Sequence, residues 1–224
     1  MTGKRILIVL GGIFHDFEGF AAFAESLLVG AGHAVETTYD LDTLTHLDQE
    51  GYDLVLSYTS LSRHREGEHH THPETLNVAQ TAGLVNWVRR GGAFLAIHCA
   101  TVSGKPNPPL RDLIGGIFFS HPPQFTFTVY PMARVHPITS GIEAFTVTDE
   151  FYIQEYDPSL DIHMVAIDRG IAHPMAWSKG FGAGRVAYVA MGHSEAVWRL
   201  EPYQQLLLQA IDWLTAQRNE EARL

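Results

Sequence analysis

The stretch that most constrains this chain is Gly91-Gly-Ala-Phe-Leu-Ala-Ile-His-Cys-Ala-Thr101. A glycine pair leads into a short apolar run with no polar alternation, and the run stops at His98 and Cys99. A strand that is apolar on both faces belongs in the middle of a parallel sheet covered by helices on either side. Open sheets of that kind bind ligands in the crevice beyond the carboxyl ends of their strands. His98 and Cys99 therefore open into the region where chemistry is expected. At this point either could be a reactive group, a metal ligand or neither.

The rest of the chain fits the same frame. Lys4–Leu10 is a compact apolar strand, and the segment after it carries Phe17, Phe20, Ala21, Ala24, Leu27 and Leu28 at helical spacing before stopping at Gly30-Ala-Gly32. His33–Tyr39 and Asp53–Tyr58 read as the second and third strands, Glu74–Arg90 as a helix and Arg185–Met191 as a last buried strand. A final helix opens at Pro202 and presents Leu206, Leu207, Ala210, Ile211 and Leu214. This rhythm predicts a right-handed, doubly wound α/β sheet that is mostly parallel. Between those parts, Gly115–Pro123 reads as a loop and Gln124–Tyr130 alternates as a half-exposed strand. Ile162–Asp168 with His173–Trp177 reads as a hairpin. No repeat or linker divides the sequence, so residues 1–224 are expected to form one domain.

Charge and composition exclude several classes. The net charge is −10 with histidine neutral, which argues against nucleic acid and anionic membranes, since both require a basic footprint. No apolar run is long enough to span a bilayer. The first apolar run is too short for a secretion signal and reads as a strand of a cytoplasmic protein. The glycines of Gly180–Gly184 precede a strand, where a dinucleotide fingerprint would have to follow one and open a helix. No nucleotide cofactor is expected. The single cysteine, Cys99, excludes an intrachain disulfide and a cysteine-rich zinc site. Histidine is abundant, with 13 residues.

Most of those histidines are expected on the surface, including His69, His70 and His72 in the charged segment Ser62–Pro73. A subset sits at strand ends: His15-Asp16 after the first strand, His98 after the central one and Gly192-His193-Ser194 after the last. Asp149-Glu150 and His121 join them from the intervening loops. Imidazoles and a carboxylate converging in one crevice can bind a divalent metal or serve as acid and base. Cys99 offers a competing reading as a nucleophile with His193 as its base, set against the ordinary fate of a free cysteine as a small buried residue.

Four motifs occur in the order found in the ThuA-like (trehalose utilisation) family. They are Gly91-Gly-Ala-Phe-Leu-Ala-Ile-His98, His136-Pro-Ile-Thr-Ser-Gly-Ile142, Asp149-Glu-Phe-Tyr152 and the run from Lys179 to Ser194 with Trp198 and Ile211-Asp-Trp213 beyond it. The resemblance covers nearly the whole chain. It implies a flavodoxin-like α/β fold, similar to class I glutamine amidotransferases. In those relatives the residue after the apolar strand is the nucleophilic cysteine. That position here is His98, and Cys99 falls one residue late, so the resemblance favours His98 as the pocket residue. It also implies a role in the catabolism of disaccharides or oxidised keto-sugars, as a hydrolase, lyase or isomerase with a small carbohydrate as its partner. On that reading His98 and His193 are proton carriers or metal ligands and Glu150 is their carboxylate partner. His15, Asp16 and His121 contact hydroxyls or complete a metal shell, and Tyr152 and Trp198 pack on a sugar face. A divalent metal, zinc first, suits the nitrogen and oxygen donors. A thiol enzyme using Cys99 and a non-catalytic sugar-binding or regulatory module are the alternatives, and self-association is left open.

Overall fold

The structure is a computed structural model that describes residues 3–62 and 72–216. Its strands are β1 (Arg5–Gly12), β2 (Ala34–Thr38), β3 (Leu54–Ser60), β4 (Ala93–Ile97), β5 (Gly116–Ser120), β6 (Phe125–Pro131), β7 (Phe145–Asp149), β8 (Ile153–Tyr156), β9 (Asp161–Asp168), β10 (Ile171–Phe181) and β11 (Gly184–Val189). The α-helices are α1 (Phe17–Gly30), α2 (Leu47–Glu50), α3 (Val78–Arg89), α4 (Pro108–Ile114), α5 (Glu195–Trp198) and α6 (Glu201–Thr215).

One sheet runs in the order β2-β1-β3-β4-β11-β10-β9-β6-β7. From β2 to β11 every pairing is parallel, as the apolar runs imply, and the strand order of this core is the flavodoxin-like one that the family resemblance implies. From β11 to β7 every pairing is antiparallel. The sheet is thus a mixed one: a parallel core with an antiparallel extension. β3 and β4 are buried at every residue, because helices cover both faces of the core. Helices α1, α5 and α6 pack together on one face, and α2, α3 and α4 pack together on the other. The α3 helix starts later than the apolar pattern suggests. Asn77 and Gln80 form a reciprocal capping box there, satisfying backbone donors that would otherwise be exposed at the first turn.

The hairpin read from Ile162 to Trp177 is present as β9 and β10, turned by Arg169 and Gly170 with φ of 48° and 79°. Such a pair of positive φ values matches the twist of the flanking strands. The segment Gly115–Pro123, expected as a loop, instead contains β5, which pairs antiparallel with β8 in a separate two-stranded sheet. This small sheet contacts the short helix His98–Thr101 at the carboxyl end of β4. It is the element that brings Phe118, His121 and Tyr152 to the crevice.

Candidate functional site

Three strand ends and one interstrand corner build the site. At the end of β1 the backbone lies so close to β3 that a Cβ on Gly12 would sit 2.1 Å from the Ser60 carbonyl oxygen. Ile13 N–H then donates to the same oxygen at 3.2 Å. Phe14 follows with φ of 70°, turning the chain so that His15 Nδ1 meets the Ile13 carbonyl at 3.0 Å. At the end of β4, His98 takes φ of 44°, an uncommon conformation for a residue with a side chain. The Tyr188 hydroxyl donates to the His98 carbonyl at 2.8 Å and holds that strained peptide. The His98 ring stacks on Tyr152 at 4.1 Å, and its Nδ1 meets the Ala190 carbonyl at 2.6 Å.

The third strand end follows β11. Gly192 and His193 donate their N–H groups to the buried carboxylate of Asp149 at 2.7 and 3.2 Å. Asp149 also accepts from Glu150 N–H at 2.9 Å. It therefore fastens the end of β7 to the loop after β11. The sequence gives no signal of that role beyond the residue's place beside Glu150. Burial raises the Asp149 carboxyl, opposed by nearby His98 and by these three backbone donors.

These supports aim one set of atoms at a common point. Glu150 Oε2 lies 3.4 Å from His98 Nε2 and 3.2 Å from His193 Nδ1. With one donor atom from each, His15, His98, Glu150 and His193 all fall within 4.8 Å of one another. A carbonyl oxygen can only accept, so the bonds to Ile13 and Ala190 place the protons of neutral His15 and His98 on Nδ1. Each Nε2 then carries a lone pair directed into the cluster. His15 Nε2, His98 Nε2 and His193 Nδ1 are all buried without a hydrogen-bond partner. The 3.2 Å approach of His193 to Glu150 is an ion-pair distance that lacks the alignment of a hydrogen bond.

The electrostatics follow from this crowding. Burial, then the neighbouring His98, lowers His15 to about 3, so it is a neutral donor near pH 7. Burial works to raise Glu150, but the contacts with His193 and His98 outweigh it and hold the carboxyl well below its usual range. The Glu150 carboxylate raises His193 against the opposing effect of burial. The Nε2 lone pairs of His15 and His98, beside the Glu150 carboxylate and His193, make a donor set that a cation can occupy. The donor set fits zinc: its bonds of about 2 Å in a tetrahedron place neighbouring ligands roughly 3.3 Å apart, close to both Glu150 contacts. Hydrogen bonds from ligand imidazoles to backbone carbonyls are also what metal sites use to fix the tautomer.

The cluster opens into a cavity of about 590 Å³ lined by Phe14, His15, Ser60, Ser62, Val102, Phe118, His121, Glu150, Tyr152 and His193. His121 stands at its edge, with Nδ1 against the Pro122 carbonyl at 2.8 Å and Nε2 3.7 Å from Glu150 Oε1. Tyr152 lines the cavity but is almost fully buried, with His98 against its ring. The structure corrects two expectations. Asp16 is the N-cap of α1, accepting from Gly19 N–H at 2.8 Å, and it faces a separate groove beside Phe23 and Arg199. Trp198 offers no face to a sugar: it is 1% exposed, packs on Phe20 and Phe23, and donates from Nε1 to the Gly192 carbonyl at 2.6 Å. Cys99 is fully buried, and burial pushes its thiol well above the ordinary range, the opposite of an activated nucleophile. Of the histidine-rich segment, residues 63–71 lie outside the described residues. His72 pairs Nδ1 with the Pro73 carbonyl at 3.0 Å.

Among the described residues, His136, Asp161 and His163 form a second group of metal-binding types. The two rings stack at 4.0 Å, His163 Nε2 bonds Ser178 Oγ at 2.7 Å, and Asp161 pairs with Arg134. His136 Nδ1 accepts from Ile138 N–H at 3.2 Å, so both rings are engaged in packing and hydrogen bonds.

The family model described as trehalose utilisation matches residues 5–214. The chain belongs to the ThuA family. Among solved structures, a ThuA-like protein from Parabacteroides merdae ATCC 43184 is similar at a TM-score of 0.77 and 17% identity, over 97% of this chain and 93% of that one. A ThuA-like protein from Bacteroides uniformis ATCC 8492 gives 0.73 and 16%, over 98% and 94%. The cytoplasmic protein STM1381 from Salmonella typhimurium LT2 gives 0.70 and 12%, over 93% and 99%. At these identities the structures show a shared fold. No curated protein matches the sequence. Within this ThuA chain, His98 occupies the strained turn after β4, and Cys99 is enclosed by the core. Among the described residues no helix is long and apolar enough to cross a membrane.

Proposed function

We propose that this ThuA-family chain is an enzyme of sugar catabolism. It carries out metal-assisted acid–base chemistry on a neutral disaccharide or its keto form, as a hydrolase, lyase or isomerase. One observation carries the reading: three buried imidazole nitrogens without partners converge with the Glu150 carboxylate at the mouth of one cavity. Evolved cores rarely leave several buried polar atoms unpaired, and where they cluster a ligand is the ordinary explanation.

His15, His98, His193 and Glu150 would hold a divalent metal, zinc first. Bound there, it would polarise a carbonyl or hydroxyl oxygen of the sugar. Glu150 stays ionised and would supply negative charge that imidazole ligands do not carry. His121 has its proton committed to Pro122, so Nε2 offers a lone pair at the cavity edge and accepts a substrate proton there. Ser60 and Ser62 supply hydroxyl partners from the end of β3. The buried, protonated thiol of Cys99 has no part in the reaction. The resemblance to a family described by trehalose utilisation supplies the substrate class. The cytoplasmic relative favours the same compartment here.

The test uses protein purified without a histidine tag. Metal analysis should find close to one zinc or similar ion per chain, lost in His98→Ala and His15→Ala. Trehalose and other neutral disaccharides, with and without oxidation to the keto form, should then be screened for turnover. A wild-type protein that takes up no divalent metal on reconstitution removes the metal reading. Saturable sugar binding with no turnover across the panel would instead favour a binding module.

A further inference from the structure

The turn at Phe14 places His15, but the Phe14 side chain serves neither capping, packing nor metal binding. Phe14 has a bulky side chain at φ of 70°, a conformation that ordinarily selects glycine or asparagine. It is also 69% exposed. The backbone is held on either side, by Ile13 N–H on the Ser60 carbonyl and by the Asp16 cap of α1, while the ring itself is left in solvent. Backbone strain of this kind clusters at active sites and ligand clamps. The location agrees: Phe14 lines the same cavity as Glu150, His193 and His121. Its turn also sets the Ile13 carbonyl against His15, so the ring is tied to the cluster at a fixed offset.

We propose that Phe14 is the platform on which the substrate sugar ring rests, and that it sets selectivity for a pyranose with an unsubstituted C–H face. This rests on the carbohydrate reading above. A pyranose has hydroxyls around its rim and polarised C–H groups on its faces. Those hydrogens are attracted to the electron-rich face of an aromatic ring. The cavity offers both kinds of partner: the Phe14 ring, with Val102 and Phe118 as further apolar wall, and Ser60, Ser62 and His121 for rim hydroxyls. With the ring seated on Phe14, the hydroxyl or carbonyl edge turns toward Glu150 and His193. Phe14 is a positioning and specificity residue, and no proton or bond change passes through it.

The experiment uses the full-length, zinc-loaded chain and its variants Phe14→Ala, Phe14→Gly and Phe14→Trp. Trehalose, maltose and cellobiose, each also as its keto form, are titrated by calorimetry. Saturation-transfer NMR reads which sugar protons touch aromatic protons. Wild type should bind at least one of these sugars and show transfer to the C–H protons of one ring face. Phe14→Ala and Phe14→Gly should weaken that binding at least tenfold with zinc content unchanged, and Phe14→Trp should restore it. Phe14→Gly should melt no lower than wild type, since glycine relieves the backbone. Sugar affinity unchanged in Phe14→Ala would overturn the platform while leaving the metal centre standing. A melting temperature several degrees lower in Phe14→Gly would also overturn it, by showing that the ring is covered by the chain itself. Zinc binding without binding of any sugar in the panel would remove the sugar occupant. Failure of wild type to bind either zinc or sugar would remove the proposed function as well.

Discussion

Single atoms decide between the two readings of His98-Cys99. The thiol is enclosed by the core and carries its proton, so Cys99→Ala should keep both zinc content and turnover, at a cost of about 1 kcal/mol in stability. Native protein should also leave the thiol unmodified by a thiol-specific chromophoric reagent until it is unfolded. Rapid labelling of the native chain would bring the thiol mechanism back. Asp149 tests the opposite dependence. Its two oxygens receive three N–H groups, and an asparagine would turn a donor toward at least one of them. Asp149→Asn should loosen the Gly192-His193 loop and weaken zinc affinity by roughly 10- to 100-fold, the usual effect of losing a group that orients ligands. Competition with a chelator would measure it. In the sequence, only the family resemblance, laid position by position on the strand, favoured His98 over Cys99, and the buried thiol agrees with that preference. The resemblance was not enough for Asp16 or Trp198. A capping aspartate and a substrate-binding one look alike in sequence, as do a core tryptophan and a sugar-stacking one. Their difference lies in what surrounds them in three dimensions.

Among the elements, the parallel half was legible and the antiparallel half only in part. β1, β3, β4 and β11 announce themselves because strands buried on both faces need continuous apolar runs. β5 and β8 carry no such mark: they are short, and their pairing joins residues far apart in the chain. That is why the segment bearing Phe118 and leading to His121 reads as a loop. β9 carries a further consequence. His163 on it is 3% exposed, and burial lowers its imidazole to about 4. An unfolded chain has an ordinary histidine near 6.5 and takes up a proton at pH 5 that the folded chain refuses. This contribution to stability is therefore intact above pH 6.5 and is lost as the pH falls toward 4. Between pH 7 and pH 5 the loss should be on the order of 2 kcal/mol, read as a lower urea midpoint. His163→Asn should shrink that difference. An equal shift in the variant would show that the sensitivity arises elsewhere.

At the scale of the molecule, the four donor residues come from the ends of β1, β4, β7 and β11. A metal held between them would tie those strand ends together only in the folded state. Zinc at about 100 times its dissociation constant should add roughly 2.7 kcal/mol of apparent stability. For a chain of this size that corresponds to a rise of about 5–10 °C in melting temperature. Differential scanning fluorimetry with and without zinc, repeated on His98→Ala, would measure it. An equal rise in His98→Ala would assign the effect to another site.

The seam between the two halves of the sheet has a consequence for how such chains diversify. The histidines of the cluster follow β1, β4 and β11, all strands of the parallel core, whereas Glu150 follows β7 at the far edge of the antiparallel extension. The extension, from β5 through β10, is spliced between α4 and β11 and supplies the acid, His121 and Tyr152 as one unit. The core keeps its strand order without it. Descendants of one ancestral core could therefore exchange this single insert and change the carboxylate of the cluster and the adjoining wall together, while the three imidazoles stayed where the core had put them.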